Sequence, residues 1–239
     1  MSNILVFIPA YGHQISCATF QSTHKMVPML LAKGHSVAIT THSSPDISEI
    51  RNYALTQWFD GMPESQHMLM LDSDMGFPPE LIVDLLALNE PMVGAIYPKK
   101  LLEVEWAASG WGTGANAGGK GQFVRVRGLG MGCFLIRRDA VATMVEKLPD
   151  IIDTDFEDLD IYPKKRMIRA FDPMRGEDNR RMSEDISFCY RWLKCSGEIW
   201  GAGGYEMEHV GMHSFHACYA KWADEKAQKD ATKIQQAAE

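Results

Sequence analysis

His67-Met-Leu-Met-Leu-Asp-Ser-Asp-Met-Gly-Phe-Pro-Pro79 is the segment whose reading decides the fold. Met68 to Leu71 are apolar without interruption over the length of a strand, which suits a strand buried on both faces of a sheet. The run breaks at Asp72-Ser73-Asp74, and Pro78 and Pro79 open a helix expected over Glu80 to Leu88, in the first turn where no amide donor is missed. Two carboxylates therefore stand at the carboxyl end of a core strand, the edge at which open α/β sheets bind ligands. At spacing i, i+2 they can reach one hard divalent cation, and through it a diphosphate. The alternative is a solvated turn or a helix cap.

On the amino-terminal side, Ile4 to Ile8 reads as a first strand that delivers Pro9-Ala10-Tyr11-Gly12-His13, a turn able to lie against a flat ligand such as a base. A helix is expected over Ile15 to Lys33 with Gly34 as its stop, then a strand over Ser36 to Thr41. A second helix follows Ser43-Ser-Pro-Asp, with Ile47, Ile50, Ala54 and Leu55 on one face. Arg51, early in it, is either an anion ligand facing the strand ends or a surface ion pair. Beyond the Asp72 strand and its helix, Met92 to Ile96 is a fourth strand ending in Tyr97-Pro98-Lys99-Lys100. This β-α-β-α-β-α-β order calls for a parallel sheet with right-handed crossovers.

After residue 100 the pattern changes. Trp106 to Gly121 is glycine-rich and reads as a loop or loose hairpin. Gly114 to Lys120 fits G-x-x-x-x-G-K, but Gly121 replaces the expected Ser or Thr and no helix follows, so the P-loop reading is rejected. Gly128-Leu-Gly-Met-Gly132 lies between two strand-like segments, Phe123 to Val126 and Cys133 to Ile136, where glycines admit a ligand or a neighbouring strand. A helix over Asp139 to Leu148 is expected to be capped by Asp139. Residues 149 to 182 are acidic first and basic afterwards, from Lys164 to Arg181, with interleaved Tyr162, Met167, Ile168 and Phe171. Ser183-Glu184-Asp185-Ile186 opens a helix through Leu193, with Ser183 as its cap and the acidic pair at the positive end. Taken alone, Asp185 reads as a first-turn residue; backbone amides there would also keep it ionised, as a general base requires. His209, His213 and His216 offer an imidazole to a metal, or act as partners of its ligands, or face solvent. From Tyr219 a polar, alanine-rich helix ends the chain and either frays or mediates oligomer contacts.

Composition sets the outer limits. A chain of 239 residues is within the range of one large domain, or one domain with an inserted lobe, and a net charge of -7 argues against non-specific coating of nucleic acid. The five cysteines form no C-x-x-C pair and several lie in apolar segments, so reduced, buried cysteines of a cytoplasmic protein are expected. No apolar run approaches a membrane span and the amino terminus reads as a strand, not a signal peptide.

The order of these features resembles the GT-A type of nucleotide-sugar glycosyltransferase, in particular small family 2-like enzymes of bacteriophages, over residues 3 to about 216. The resemblance implies a Rossmann-like α/β fold with a mixed, mainly parallel central sheet flanked by helices. It implies one domain over 1–218, with a nucleotide-sugar half (1–100) and an acceptor half with a loop region (101–218), followed by the terminal helix 219–239. Asp72 and Asp74, with Ser73 between them, match the D-x-D that places Mn²⁺ or Mg²⁺ on the donor diphosphate. Pro9, Ala10 and Tyr11 match the strand end that packs on the base, Arg51 a basic residue near the phosphates, and Gly132 the lining of the sugar pocket. Glu184 and Asp185 match the E-D motif whose Asp is the base in inverting members, and His209, with His213 as the nearby alternative, matches a late metal-ligating histidine. A UDP-sugar is the first expectation for the donor. The chain departs from the family at Thr40-Thr41-His42-Ser43-Ser44, where an acidic pair usually reads uracil and ribose, so the base is left open. The acceptor is expected to be modified DNA, as in phage-type glycosylation of hydroxylated bases in the host cytoplasm, with segment 162–181 holding the polyanion. The competing expectation is a protein or small glycan stacked on Trp106 and Trp111. Readings from other classes are a nucleotidyltransferase and a non-catalytic nucleotide-sugar-binding module.

Overall fold

The computed structural model describes residues 1–101, 103–109, 121–156 and 159–236. The P-loop near miss at 114–120, Trp111, Glu157 and Asp158 lie outside them. The first half alternates β1 (Asn3–Pro9), α1 (Cys17–Ala32), β2 (Ser36–His42), α2 (Ile47–Gly61), β3 (His67–Leu71), the short β4 (Met75–Gly76), α3 (Glu80–Leu88) and β5 (Met92–Ala95). Then come β6 (Ala108–Ser109), β7 (Phe123–Val126), β8 (Gly128–Leu129), β9 (Cys133–Arg137), α4 (Arg138–Lys147), β10 (Ile152–Asp153) and β11 (Met167–Ile168). The chain closes with α5 (Glu184–Lys194), β12 (Ile199–Ala202), the hairpin β13 (Glu206–Val210) and β14 (Ser214–Cys218), and α6 (Tyr219–Gln236).

Seven strands form the central sheet in the order β2-β1-β3-β9-β5-β12-β7. Strands β2, β1, β3, β5 and β12 run one way, while β9 and β7 are antiparallel to their neighbours. The sheet is thus mixed and mainly parallel. It differs from an uninterrupted parallel sheet at two points: β7 closes one edge antiparallel to β12, and β9 inserts between β3 and β5, pairing Leu69 with Leu135 and Val93 with the same Leu135. A wholly apolar strand such as Cys-Phe-Leu-Ile suits a position inside the sheet, with both faces covered.

Both faces are covered. Leu5, Phe7, Met68 and Met70 pack with residues of α2, α4 and α5 on one side, and Ile4, Val6, Leu69 and Leu71 with residues of α1 and α3 on the other. This period-two division is what an apolar strand buried on both sides requires. All five residues of β3 are buried. At about 1.5–3 kcal/mol for each fully buried Leu or Met side chain, β3 is a rigid base for the carboxylates at its end.

Local signals explain some element ends. Asp46 caps α2 by accepting from the amides of Ser48 and Glu49 at 2.8 and 3.1 Å. Two expected caps are corrected. Helix α4 begins after Arg137, which makes no cap bond, and Asp139 pairs with Arg137 at 2.7 Å. Ser183 occupies the N-cap position of α5 without capping it, because its hydroxyl donates to Asp185. In each case a charged neighbour within two residues is the stronger partner. The described cysteines are all free, with Cys133, Cys189, Cys195 and Cys218 buried. Among the described residues no helix is long and apolar enough to cross a membrane.

His67, at the start of β3, gives the fold a pH dependence. It is 7% exposed. Burial, reinforced by the nearby Arg137 guanidinium, lowers its pKa to about 4. The unfolded chain, with His near 6.5, then binds the extra proton first, so stability is complete above about pH 6.5 and falls as the pH drops toward 4. The expected loss is about 3 kcal/mol at 1.36 kcal/mol per pKa unit. Urea unfolding between pH 7 and 4 should show that slope and His67→Phe should flatten it; an equal slope in the variant would discount His67.

Candidate functional site

The carboxyl ends of β1 and β3 and the start of α5 meet at one place. Asp72 leaves β3 with its amide bonded to the carbonyl of Gly132 at 3.0 Å. From α2, Arg51 reaches across with both terminal nitrogens, one to Asp72 Oδ1 and the other to Glu184 Oε1, each at 2.7 Å. The Arg51 side chain is 4% exposed. Burial alone would lower its pKa, yet the charges of Asp72 and Glu184 outweigh that and raise it. The Asp72–Arg51–Glu184 bridge therefore ties the end of β3 to the first turn of α5. Neither reading of Arg51 from the sequence included a carboxylate on each side; what it contacts here is one acid of each motif, Asp72 and Glu184.

Asp185, one residue on, has a different setting. Its Oδ1 accepts from the Ser183 hydroxyl and from the Ile186 amide, the latter at 2.7 Å. Among the described residues nothing is bonded to Oδ2. Asp185 lines a cavity of about 680 Å³, together with Tyr97, Lys100, Trp106, Arg181 and His209. A separate apolar groove of about 500 Å³, between α1 and β2, carries no carboxylate.

Asp74 is brought to His209 by strand register. Strand β13 pairs antiparallel with β4 so that His209 lies opposite Met75, and the Val210 amide donates to the Asp74 carbonyl at 2.8 Å. His209 Nε2 then stands 3.6 Å from Asp74 Oδ1. Nδ1 is 2.8 Å from the Pro98 carbonyl, which can only accept, so this bond assigns a proton to Nδ1 and, in the neutral ring, the Nε2 lone pair faces Asp74. Asp74 Oδ1 is buried and has no hydrogen-bond partner. An orphaned carboxylate oxygen facing an imidazole lone pair, with the far ring nitrogen on a carbonyl, is a donor set that fits a divalent cation. Asp74 and His209 are the residues that would hold it. Among the described residues no group of three such side chains is gathered, and Asp72 is engaged by Arg51. His213 lies in the exposed turn between β13 and β14, and His216 faces Glu208 at 3.6 Å.

The remaining sequence candidates take these places. Pro9 ends β1; Ala10 is buried and bonds through its amide to His42; Tyr11 is 74% exposed. The Ser73 carbonyl accepts from the Ser16 amide at 2.7 Å, joining the acidic turn to the segment after β1. Gly132 lies under the Tyr97 ring: its amide donates to the Tyr97 hydroxyl at 3.1 Å, and a Cβ at Gly132 would sit 2.7 Å from the ring. Tyr97 also meets His209 edge to face at 5.3 Å, and burial with the Asp72 charge raises its pKa well above the usual value, so it keeps its proton.

Lys100, on Asp74 Oδ2, was not singled out from the sequence. The basic run is largely ion-paired. Lys164 and Arg166 converge on buried Asp60 at 3.0 and 2.8 Å, and Lys165 pairs with Asp160 at 2.8 Å. Arg169 pairs with Glu49 at 3.1 Å and with Asp153, and Arg180 with Asp178 at 3.5 Å. Burial would raise the Asp60 pKa, but its bonds to Arg166 and Lys164 prevail and lower it, so the acidic partner is ionised. Acidic neighbours thus neutralise most of the run.

No protein-family model matches the chain, and no curated protein matches it. Among solved structures, "GalNAc-T7 with UDP, GalNAc and Mn2+" is similar at a TM-score of 0.50 and 13% identity, over 88% of this chain and 44% of that one. The chain therefore spans less than half the length of that protein. "A197 from STIV" aligns at a TM-score of 0.48 and 14% identity, over 87% of this chain and 86% of that one. A "glycosyltransferase involved in the glycosylation of the major capsid of PBCV-1" aligns at 0.32 and 14%, over 61% and 64%. At these identities the likeness is one of architecture, and the mixed seven-stranded sheet flanked by helices is the GT-A fold.

Proposed function

We propose that this chain is a metal-dependent glycosyltransferase that moves a sugar from a nucleoside-diphosphate sugar to an acceptor hydroxyl with inversion. The observation that carries the reading is the pairing of the orphaned Asp74 Oδ1 with His209 Nε2 beside the cavity into which Asp185 faces. A divalent cation held by Asp74 and His209 would neutralise charge on the leaving diphosphate. Asp185 does the proton work: Oδ1 is fixed by Ser183 and Ile186, so Oδ2 takes the acceptor hydroxyl proton as that oxygen attacks the anomeric carbon and the nucleoside diphosphate departs. Glu184 acts through Arg51 as a positioning residue. Pro9, Ala10 and Tyr11 border the nucleotide, with a UDP-sugar as the first donor to try.

For the acceptor, the neutralised basic run favours a protein or glycan hydroxyl over DNA. Trp106, although it borders the cavity, is 6% exposed and packed against Tyr219 and Trp222, so the expected stacking of a sugar on its ring has no open face here. A steep fall of acceptor binding with salt would instead favour DNA.

Incubation with a panel of nucleotide sugars and Mn²⁺, read by mass spectrometry, tests the reading: transfer to water or acceptor with release of nucleoside diphosphate is expected. Release of pyrophosphate would mark a nucleotidyltransferase, and binding without turnover a non-catalytic module. Asp74→Asn should lose metal-dependent turnover by about 10²-fold or more with its melting temperature unchanged. Full activity of this variant, or of the wild type under chelator, would remove the metal from the scheme. Asp72→Asn is the less clean test, because it also unpairs Arg51.

A further inference from the structure

Lys100 stands where a cation belongs. Its Nζ pairs with Asp74 Oδ2, on the carboxylate whose other oxygen faces His209. Its stem crosses the turn between β13 and β14, where a Cβ at Gly211 would come within 3.2 Å of Lys100 Cδ. The backbone around it is pinned: Lys99 N bonds to Glu105 O at 2.7 Å, Ala107 N to Tyr97 O at 2.9 Å, and Pro98 O accepts from His209 at 2.8 Å. The side chain is 37% exposed, so the four-carbon stem is the part free to move.

Charge explains why it would move. Asp72, Asp74, Glu184 and Asp185 place four carboxylates at the site against Arg51, Lys100 and Arg181. Arg51 is buried with both ends committed, and Arg181, which also lines the cavity, has no bond to Asp74 among the described residues, so Lys100 is the cation on Asp74 that can be exchanged. A divalent ion on Asp74 leaves the ammonium displaced beside a doubly charged centre, and an incoming diphosphate supplies the anion it then lacks.

We propose that Lys100 holds Asp74 while the site is without donor, and passes to the donor diphosphate when Asp74 is given over to a divalent cation. This rests on the metal-dependent reading above and deepens it. Displacing the lysine weakens cation binding to the free protein, and its contact with the diphosphate couples the two ligands, each strengthening the other.

The test uses the full chain, with Mn²⁺ titrated and the free ion read by electron paramagnetic resonance, followed by pyrophosphate at saturating Mn²⁺ as a probe independent of the base. Lys100→Met should bind Mn²⁺ roughly fivefold tighter and pyrophosphate roughly fivefold weaker, the scale of one partly exposed ion pair. Lys100→Arg should restore both values. Unchanged or weaker Mn²⁺ binding by Lys100→Met overturns the lysine's hold on Asp74, and unchanged pyrophosphate binding overturns its passage to the diphosphate. Absence of Mn²⁺ binding in both wild type and variant overturns this proposal and the metal-dependent reading together. Melting temperatures recorded alongside separate loss of contact from loss of fold, and Lys100→Gln repeats the test with a polar side chain.

Discussion

Asp185→Asn is expected to bind donor and Mn²⁺ as the wild type does and to transfer sugar about 10²- to 10⁴-fold more slowly, the range that general-base catalysis supplies. The substitution is conservative where the fold is concerned. An amide oxygen can still accept from Ser183 and from the Ile186 amide, so the first turn of α5 keeps its bonds. What changes is the other atom: Oδ2, which takes the proton, becomes an NH₂ group that cannot. The loss should therefore appear in kcat, with little change in the concentration of donor required. Normal transfer by Asp185→Asn would remove it as the base. The stereochemistry of the product gives a parallel reading, since attack by a hydroxyl deprotonated at Asp185 inverts the anomeric centre and retention would require a different mechanism.

The second large effect concerns stability. Arg51→Met should cost about 3 kcal/mol of unfolding free energy, the lower end for breaking a buried ion pair, because it leaves Asp72 and Glu184 without the charge that holds them. In a chain of this size that corresponds to a fall in Tm of roughly 6–12 °C. Arg51→Lys should recover only part of it, since one ammonium cannot present the two-ended fork that reaches carboxylates on separate elements. The Arg51→Met/Glu184→Gln double variant should be less destabilised than the two single changes added together, as residues sharing one contact require. A single variant within about 0.5 kcal/mol of wild type would show that the bridge contributes nothing to the fold. If the bridge also places α5, kcat falls in Arg51→Met even at temperatures where the variant is fully folded.

These two expectations draw on different levels of information. The elements that carry the site were legible in the chain: α3 spans Glu80–Leu88, as the flanking prolines and apolar spacing indicate, and β3 is the strand that Met68 to Leu71 describe. The positions of Asp72, Asp74 and Asp185 at a strand end and a helix start follow from the same local signals. The partners did not. Arg51 lies 21 residues from Asp72 and 133 from Glu184, and Lys100 lies 26 from Asp74. No periodicity connects such pairs. The run from Lys164 to Arg181 looked like a surface for a polyanion because the sequence displays its cations together, while the carboxylates that neutralise several of them, Asp60, Glu49 and Asp153, are brought in by α2 and β10.

The sequence by itself determined the main strands and helices, though not the hairpin β13–β14 that carries His209, and which carboxylates stand at their ends, because an apolar pattern and a helix start are written in neighbouring residues. Tertiary structure alone decided that β9 enters between β3 and β5, that β13 meets β4 in the register that sets His209 against Asp74, and that Arg51 and Lys100 each hold an acid of the site. The physical reason is range. Strand propensity and capping act over a few residues, whereas strand order, register and the choice of counter-charge depend on which distant surfaces must be buried together.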